Sequence, residues 1–158
     1  MKKWKIDIEI DAPIEQVWKF FDGSLEDMKK IVPILVEHRP IKITEEGVGS
    51  VYRRTNKYKG QLQEHDIETL EYVNETNKKK LKVNSIMENI LDITNCYELN
   101  KIDHNKTLFK YEAIYEPLSW QTKISLLFLK KKPTIEFVER IRNIAEFEAG
   151  TEVASHFD

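Results

Sequence analysis

An α+β fold is predicted by this chain, and three of its features predict it. A strand, an Ala-Pro break and a helix open the sequence. Alternating segments divided by short turns fill the middle, and a long amphipathic helix closes it. Together they give an antiparallel meander of about seven strands, with two short helices after the first strand and a long C-terminal helix.

Trp4, Ile6, Ile8 and Ile10 alternate with Lys5, Asp7, Glu9 and Asp11, which is the period of a strand with one buried face. Pro13 lacks an N–H and holds φ near the helical value, so Ala12-Pro13 opens a helix. Ile14, Val17, Trp18 and Phe21 follow at helical spacing, Glu15 sits where the helix dipole favours an anion, and Gly23 ends the run. A second short helix carries Leu25, Met28 and Val32 and stops before Pro33.

From Ile34 to Tyr115 strands alternate with turns. Pro40 marks its strand as an edge or a bulge, because proline cannot donate to a ladder. Turns are expected at Gly47-Val48-Gly49, Lys59-Gly60, near Glu88-Asn89 and at Asp103-His104-Asn105, and a polar loop from Asn74 to Lys80. Val51, Arg53 and Thr55 share one face of their strand, with Tyr52, Arg54 and Asn56 on the other. His65, Ile67 and Thr69 share a face, as do Asn95 and Tyr97, and as do Thr107, Phe109, Tyr111, Ala113 and Tyr115. A short helical run holds Trp120, Ile124, Leu127 and Phe128. Pro133 then opens a long helix with Phe137, Val138, Ile141, Ile144 and Ala145 as its buried stripe and Gly150 as its expected stop. The whole chain, 1–158, is expected to be one domain, with 151–158 as a loose tail.

Composition narrows the function. The net charge is −2, from 25 basic and 27 acidic residues that interleave, so nucleic acid is not an expected partner. Cys96 is the single cysteine, which excludes an intrachain disulfide and any multi-cysteine metal site. The start, Met1-Lys2-Lys3, leads into alternating polar residues without an apolar signal core, and no apolar run is long enough to span a bilayer. A cytoplasmic location is the resulting expectation. His38, His65, His104 and His156 are scattered without metal-ligand spacing, the five glycines build no phosphate loop, and no Gly-x-Ser-x-Gly elbow occurs. No cofactor and no metal are expected.

The order of elements resembles the START and polyketide cyclase/dehydrase superfamily, which includes the birch-pollen-allergen-like proteins. The resembling residues are Ile8-Glu9-Ile10-Asp11-Ala12-Pro13-Ile14-Glu15-Gln16-Val17-Trp18 with the following Pro33, the Gly47-Val48-Gly49-Ser50-Val51 turn, Thr107 after a turn, and the helix led by Pro133. The resemblance covers roughly residues 3–150. It implies the helix-grip fold, a curved seven-stranded antiparallel sheet wrapped around the C-terminal helix. A cavity between sheet and helix is the physical consequence, since the two cannot close fully on each other.

The expected function is binding or transport of a small hydrophobic or amphiphilic ligand, such as a lipid, isoprenoid or polyketide-like compound. The cavity candidates are Arg53, His65, Asn95, Tyr97, Tyr111, Tyr115 and Trp120. Arg53 is read as facing inward, where a guanidinium needs an anionic ligand group or a carboxylate; a one-residue slip in phase would put it in solvent. The tyrosines combine an apolar body with a hydroxyl that needs a partner when buried, and Trp120 is placed to cap the cavity mouth. No catalytic residue is assigned. Two alternatives remain: a cyclase- or dehydratase-like enzyme with His65 or a tyrosine as acid/base, and an interaction module similar to chaperone-ATPase activators. Leu126, Leu127, Phe128 and Leu129 run into Lys130, Lys131 and Lys132, a pattern suited to transient contact with an anionic membrane.

Overall fold

The alternation at the start becomes β1 (Lys2–Ile10), and Pro13 caps α1 (Ile14–Asp22), which ends at Gly23. Ser24 accepts a hydrogen bond from the Asp27 backbone N–H and starts α2 (Leu25–Ile31). Six strands follow: β2 (Leu35–Lys42), β3 (Val51–Tyr58), β4 (Gln61–Asn74), β5 (Lys78–Met87), β6 (Leu91–Asp103) and β7 (Lys106–Pro117). The short α3 (Trp120–Leu126) leads to the long α4 (Lys132–Phe157). The computed structural model describes residues 1–157, with side chains described to residue 151.

All the strands form one curved antiparallel sheet in the order β1-β7-β6-β5-β4-β3-β2. β1 closes against β7, and the rest is a meander. Pro40 lies in β2, which is an edge strand with a register shift between Pro40 and Lys42, as proline requires. Lys59 and Gly60 both take positive φ in a two-residue turn, and Glu88 and Asn89 do so in the β5–β6 turn. Gly47 is tightly held: its φ is +85°, and a Cβ there would meet the Tyr72 ring at 2.9 Å.

The core sits at one end of the sheet. Val138, Ile141 and Ala145 of α4 are buried together with Ile10, Leu99, Phe109 and Ala113 of the sheet and with Val17 and Phe20 of α1. Thr107 is fully buried in β7, and its hydroxyl donates to the Ala12 carbonyl at 2.8 Å, which ties the Ala-Pro break to the sheet. This packing involves β1, β7 and β6. The inward face of β2 to β5 and the first half of β6 lie beyond it, so the cavity opens there.

Two expectations need correction. The polar run before Leu81 is not all loop, because β5 begins at Lys78. Lys79 is only 3% exposed; its ammonium donates to Asn74 Oδ1 at 2.5 Å, pairs with Glu15 at 3.0 Å and lies over the Trp18 ring. The partners on α1 that make its burial tolerable are distant in sequence. Gly150 does not stop α4, which runs on to Phe157. A lone glycine weakens a helix without ending it. Of the expected tail, the backbone of 151–157 is helical, while the side chain of His156 and all of Asp158 lie outside the described residues.

Candidate functional site

A cavity of about 660 Å³ lies between α1 and α2 on one side and the inward face of β2 to β6 on the other, with Phe137 of α4 at its end. Phe20, Phe21, Met28 and Ile31 form the helical wall; Ile67, Leu81, Val83 and Ile93 are apolar on the sheet wall. The exposed lining residues Asp22, Gly23, Ile43 and Glu45 mark its mouth, between the α1–α2 turn and the β2–β3 connection.

One part of the wall is basic. Antiparallel pairing places His38 of β2 opposite Arg54 of β3, and Arg54 opposite His65 of β4. Directly opposed residues share a face, so the three side chains form one row into the cavity. The His38 ring stacks on Tyr52 at 4.5 Å between centroids and 10° between planes. His38 Nδ1, Arg54 Nε, His65 Nδ1 and the neighbouring Asn56 Oδ1 are buried without a hydrogen-bond partner among the described residues. Burial pushes the His38 imidazole down to about 4, and the Arg54 charge adds to that. His65 is lowered for the same two reasons, with Asp66 acting against them. Both rings are therefore neutral bases at neutral pH.

The aromatic end is better satisfied. Tyr97 lines the cavity, stacked on Phe21 at 4.5 Å and on Tyr111 at 5.5 Å. Burial pushes the Tyr97 phenol up to about 12, with the Arg54 charge acting against it. The Tyr111 hydroxyl donates to Asn95 Oδ1 at 2.9 Å, and burial raises this phenol far above its ordinary value.

The structure brings some sequence candidates together and removes others. His65, Asn95 and Tyr97 line the cavity. Tyr111 is a core residue behind Asn95, and Tyr115 packs against the core, its phenol raised by burial with Thr134 acting against it. Neither is on the cavity wall. Arg53 faces outward: its Nε donates to Asp66 Oδ1 at 2.8 Å and its Nη2 to Asp66 Oδ2 at 3.2 Å, on the outer surface of the sheet. The inward guanidinium is that of Arg54. Trp120 does not cap the mouth; it is 69% exposed on α3, away from the cavity lining. Cys96 faces away from the cavity, and burial raises its thiol.

Comparison with solved structures settles the architecture. An aromatase/cyclase from a Streptomyces species superposes with a TM-score of 0.66 at 13% identity, over 92% of this chain and 93% of that one. A major latex-like protein from Panax ginseng gives 0.65 at 14% identity, over 94% and 97%. Norcoclaurine synthase from Thalictrum flavum, solved in complex with dopamine and hydroxybenzaldehyde, gives 0.58 at 16% identity, over 90% and 85%. The chain has the helix-grip fold. No protein-family model matches the sequence, and no curated protein matches it significantly. At these identities the helix-grip likeness fixes the fold and leaves the site to be read from its own residues.

Sequence reasoning missed Arg54 and His38. A usable signal existed for Arg54. Counting outward from the two-residue Lys59-Gly60 turn pairs Tyr58 with Gln61 and Arg54 with His65. The alternation of His65, Ile67 and Thr69 then puts Arg54 inside this helix-grip sheet and Arg53 outside. His38 carried no such signal, because its strand is irregular around Pro40.

Proposed function

We propose that the protein binds a small hydrophobic or amphiphilic molecule, such as a lipid, isoprenoid or polyketide-like compound, between its helices and sheet. The observation that carries this reading is the 660 Å³ cavity, in which apolar side chains of both helices and sheet stand beside polar groups of the sheet, a lining suited to an amphiphile. Ligand cavities are commonly about 300–1,000 Å³ in volume. Apolar burial would supply most of the affinity, and Asn95, Tyr97 and the basic row would orient the ligand. A helix-grip neighbour solved with small aromatic molecules gives the reading further support.

Acid/base turnover has weaker support. Tyr111 is a phenol that burial keeps protonated and that is committed to Asn95. Among the described residues His65 has no orienting carboxylate, since its neighbour Asp66 lies on the opposite face and is held by Arg53. Membrane loading fits the carrier reading. Leu127 and Phe128 are 74% and 77% exposed beside Lys130, Lys131 and Lys132, whereas Leu126 is buried and Leu129 half-buried. The surface that meets lipid in this reading is thus Leu127 and Phe128 with Trp120, rather than the whole apolar run.

Native mass spectrometry of freshly purified protein tests the binding reading. We expect a discrete added mass that disappears on denaturation and is absent from Ser85→Trp, a substitution that fills the sheet side of the cavity. A bare mass that stays bare after incubation with amphiphiles would overturn it.

A further inference from the structure

The cavity holds a positive charge that the protein itself does not neutralise. Arg54 projects into it and has no carboxylate partner among the described residues, and its Nε is buried without a hydrogen-bond partner there. A buried guanidinium without a counter-charge is costly, and folded proteins rarely keep one without a use. Arg53, one residue earlier, shows the ordinary solution: a two-point pair with Asp66 on the outer surface.

The surroundings of Arg54 fit an oxyanion. His38 and His65 flank it on the neighbouring strands, and each presents a buried Nδ1 without a partner. Stacking on Tyr52 fixes the plane of His38. A guanidinium offers two parallel N–H groups, the geometry that carboxylates and phosphates accept. The carboxylates that line the cavity, Asp22 and Glu45, are at its exposed mouth, and Asp22 is engaged by the Tyr72 hydroxyl at 2.6 Å. Away from the basic row an apolar strip runs from Phe20 and Met28 across to Leu81 and Val83, with Thr69, Ser85 and Asn95 among the polar residues on the sheet side.

We propose that Arg54, flanked by His38 and His65, clamps the anionic head of an amphiphile whose apolar part fills the rest of the cavity. The inference rests on the ligand-binding reading above and adds the chemical class of the ligand: a carboxylic acid or phosphate monoester with a hydrophobic body. Neutral lipids of the same length would fill the apolar part and leave the guanidinium unpaired.

Calorimetric titration with dodecanoate, dodecyl phosphate and dodecanol tests this. At about pH 7.5, where the carboxylate is ionised, at least one anionic probe should bind about tenfold or more tighter than the alcohol, as expected for a charge-assisted pair. The ratio between the two anions tells a carboxylate from a phosphate site. Arg54→Met should abolish the preference while leaving dodecanol binding within about twofold, because the apolar wall is intact. It should also raise the ligand-free melting temperature, since it removes an unpaired buried charge. A charged preference that survives in Arg54→Met, or equal binding of all probes by the parent protein, would overturn the anion clamp while leaving the cavity reading in place. Binding of none of the probes, dodecanol included, would remove both.

Discussion

Two adjacent arginines show how much one residue of phase decides. Arg53 and Arg54 have the same side chain, yet one is solvated and paired and the other lines a cavity without a counter-charge among the described residues. The same burial that exposes the cost of Arg54 acts on its neighbours. His38 is pushed down to about 4 from an ordinary 6.5, and His65 moves in the same direction. Between those limits the unfolded chain binds more protons than the folded one. The stabilisation from keeping His38 neutral is complete above pH 6.5 and is lost as the pH falls from 6.5 towards 4. Thermal unfolding of the ligand-free protein should therefore drop in midpoint between neutral and mildly acid pH. In His38→Gln the drop should be smaller, and an unchanged slope would contradict the assignment of this group.

At the scale of elements, one acidic residue joins both helices of the cavity wall to α4, beside the Arg140 guanidinium, which donates to the Ile31 carbonyl at 3.2 Å. Glu148 of α4 accepts hydrogen bonds from Gln16 Nε2 and Lys30 Nζ, each at 2.7 Å, and pairs with Lys19 at 3.0 Å. Burial opposes its ionisation, but the two ammonium groups hold its carboxyl below the ordinary range. The Glu148 carboxylate thus reaches both α1 and α2 from α4. Glu148→Gln should cost about 1 kcal/mol, since the pairs are partly exposed, and lower the melting temperature by about 2–4 °C. An unchanged midpoint would show that the ties add nothing. The bounds of α1 were legible in the sequence, where Pro13 and Glu15 open it and Gly23 closes it; the Ser24 cap of α2 appears in the structure. Lys79 was not legible. A lysine in a basic run reads as solvated, and only the approach of α1, with Glu15 and Trp18, makes its burial acceptable.

Over the whole molecule, the sheet divides its labour. β1, β7 and β6 pack on α4 and form the core, while β2 to β5, with the Ile93 to Tyr97 stretch of β6, enclose the cavity with α1 and α2. The exposed Leu127 and Phe128 with Lys130, Lys131 and Lys132 follow α3, apart from the cavity lining. Among the described residues no helix is long and apolar enough to cross a membrane. Three lysines contribute about 3 kcal/mol near an anionic bilayer. Flotation with phosphatidylserine vesicles should show binding that is lost when Lys130, Lys131 and Lys132 are all replaced by Glu. Binding that persists would eliminate membrane loading by this route.

The order of elements, the alternation within most strands and the turns that join them are written in the sequence, because these depend on neighbours a few residues apart. The sequence also carried the inward placement of His65, Asn95 and Tyr97, whose strands have an apolar face to set the phase. Tertiary structure decided the rest. β3 has an arginine on both faces, so its phase is set by its partner strand, and with it the choice of Arg54 over Arg53. The row with His38 exists only once three strands align in register. Tyr111, Tyr115 and Trp120 have the composition of cavity residues, but α4 covers the first two and leaves the third in solvent. Which inward face becomes core and which becomes cavity depends on where the long helix lies across the sheet. That is a long-range packing choice that no local pattern encodes.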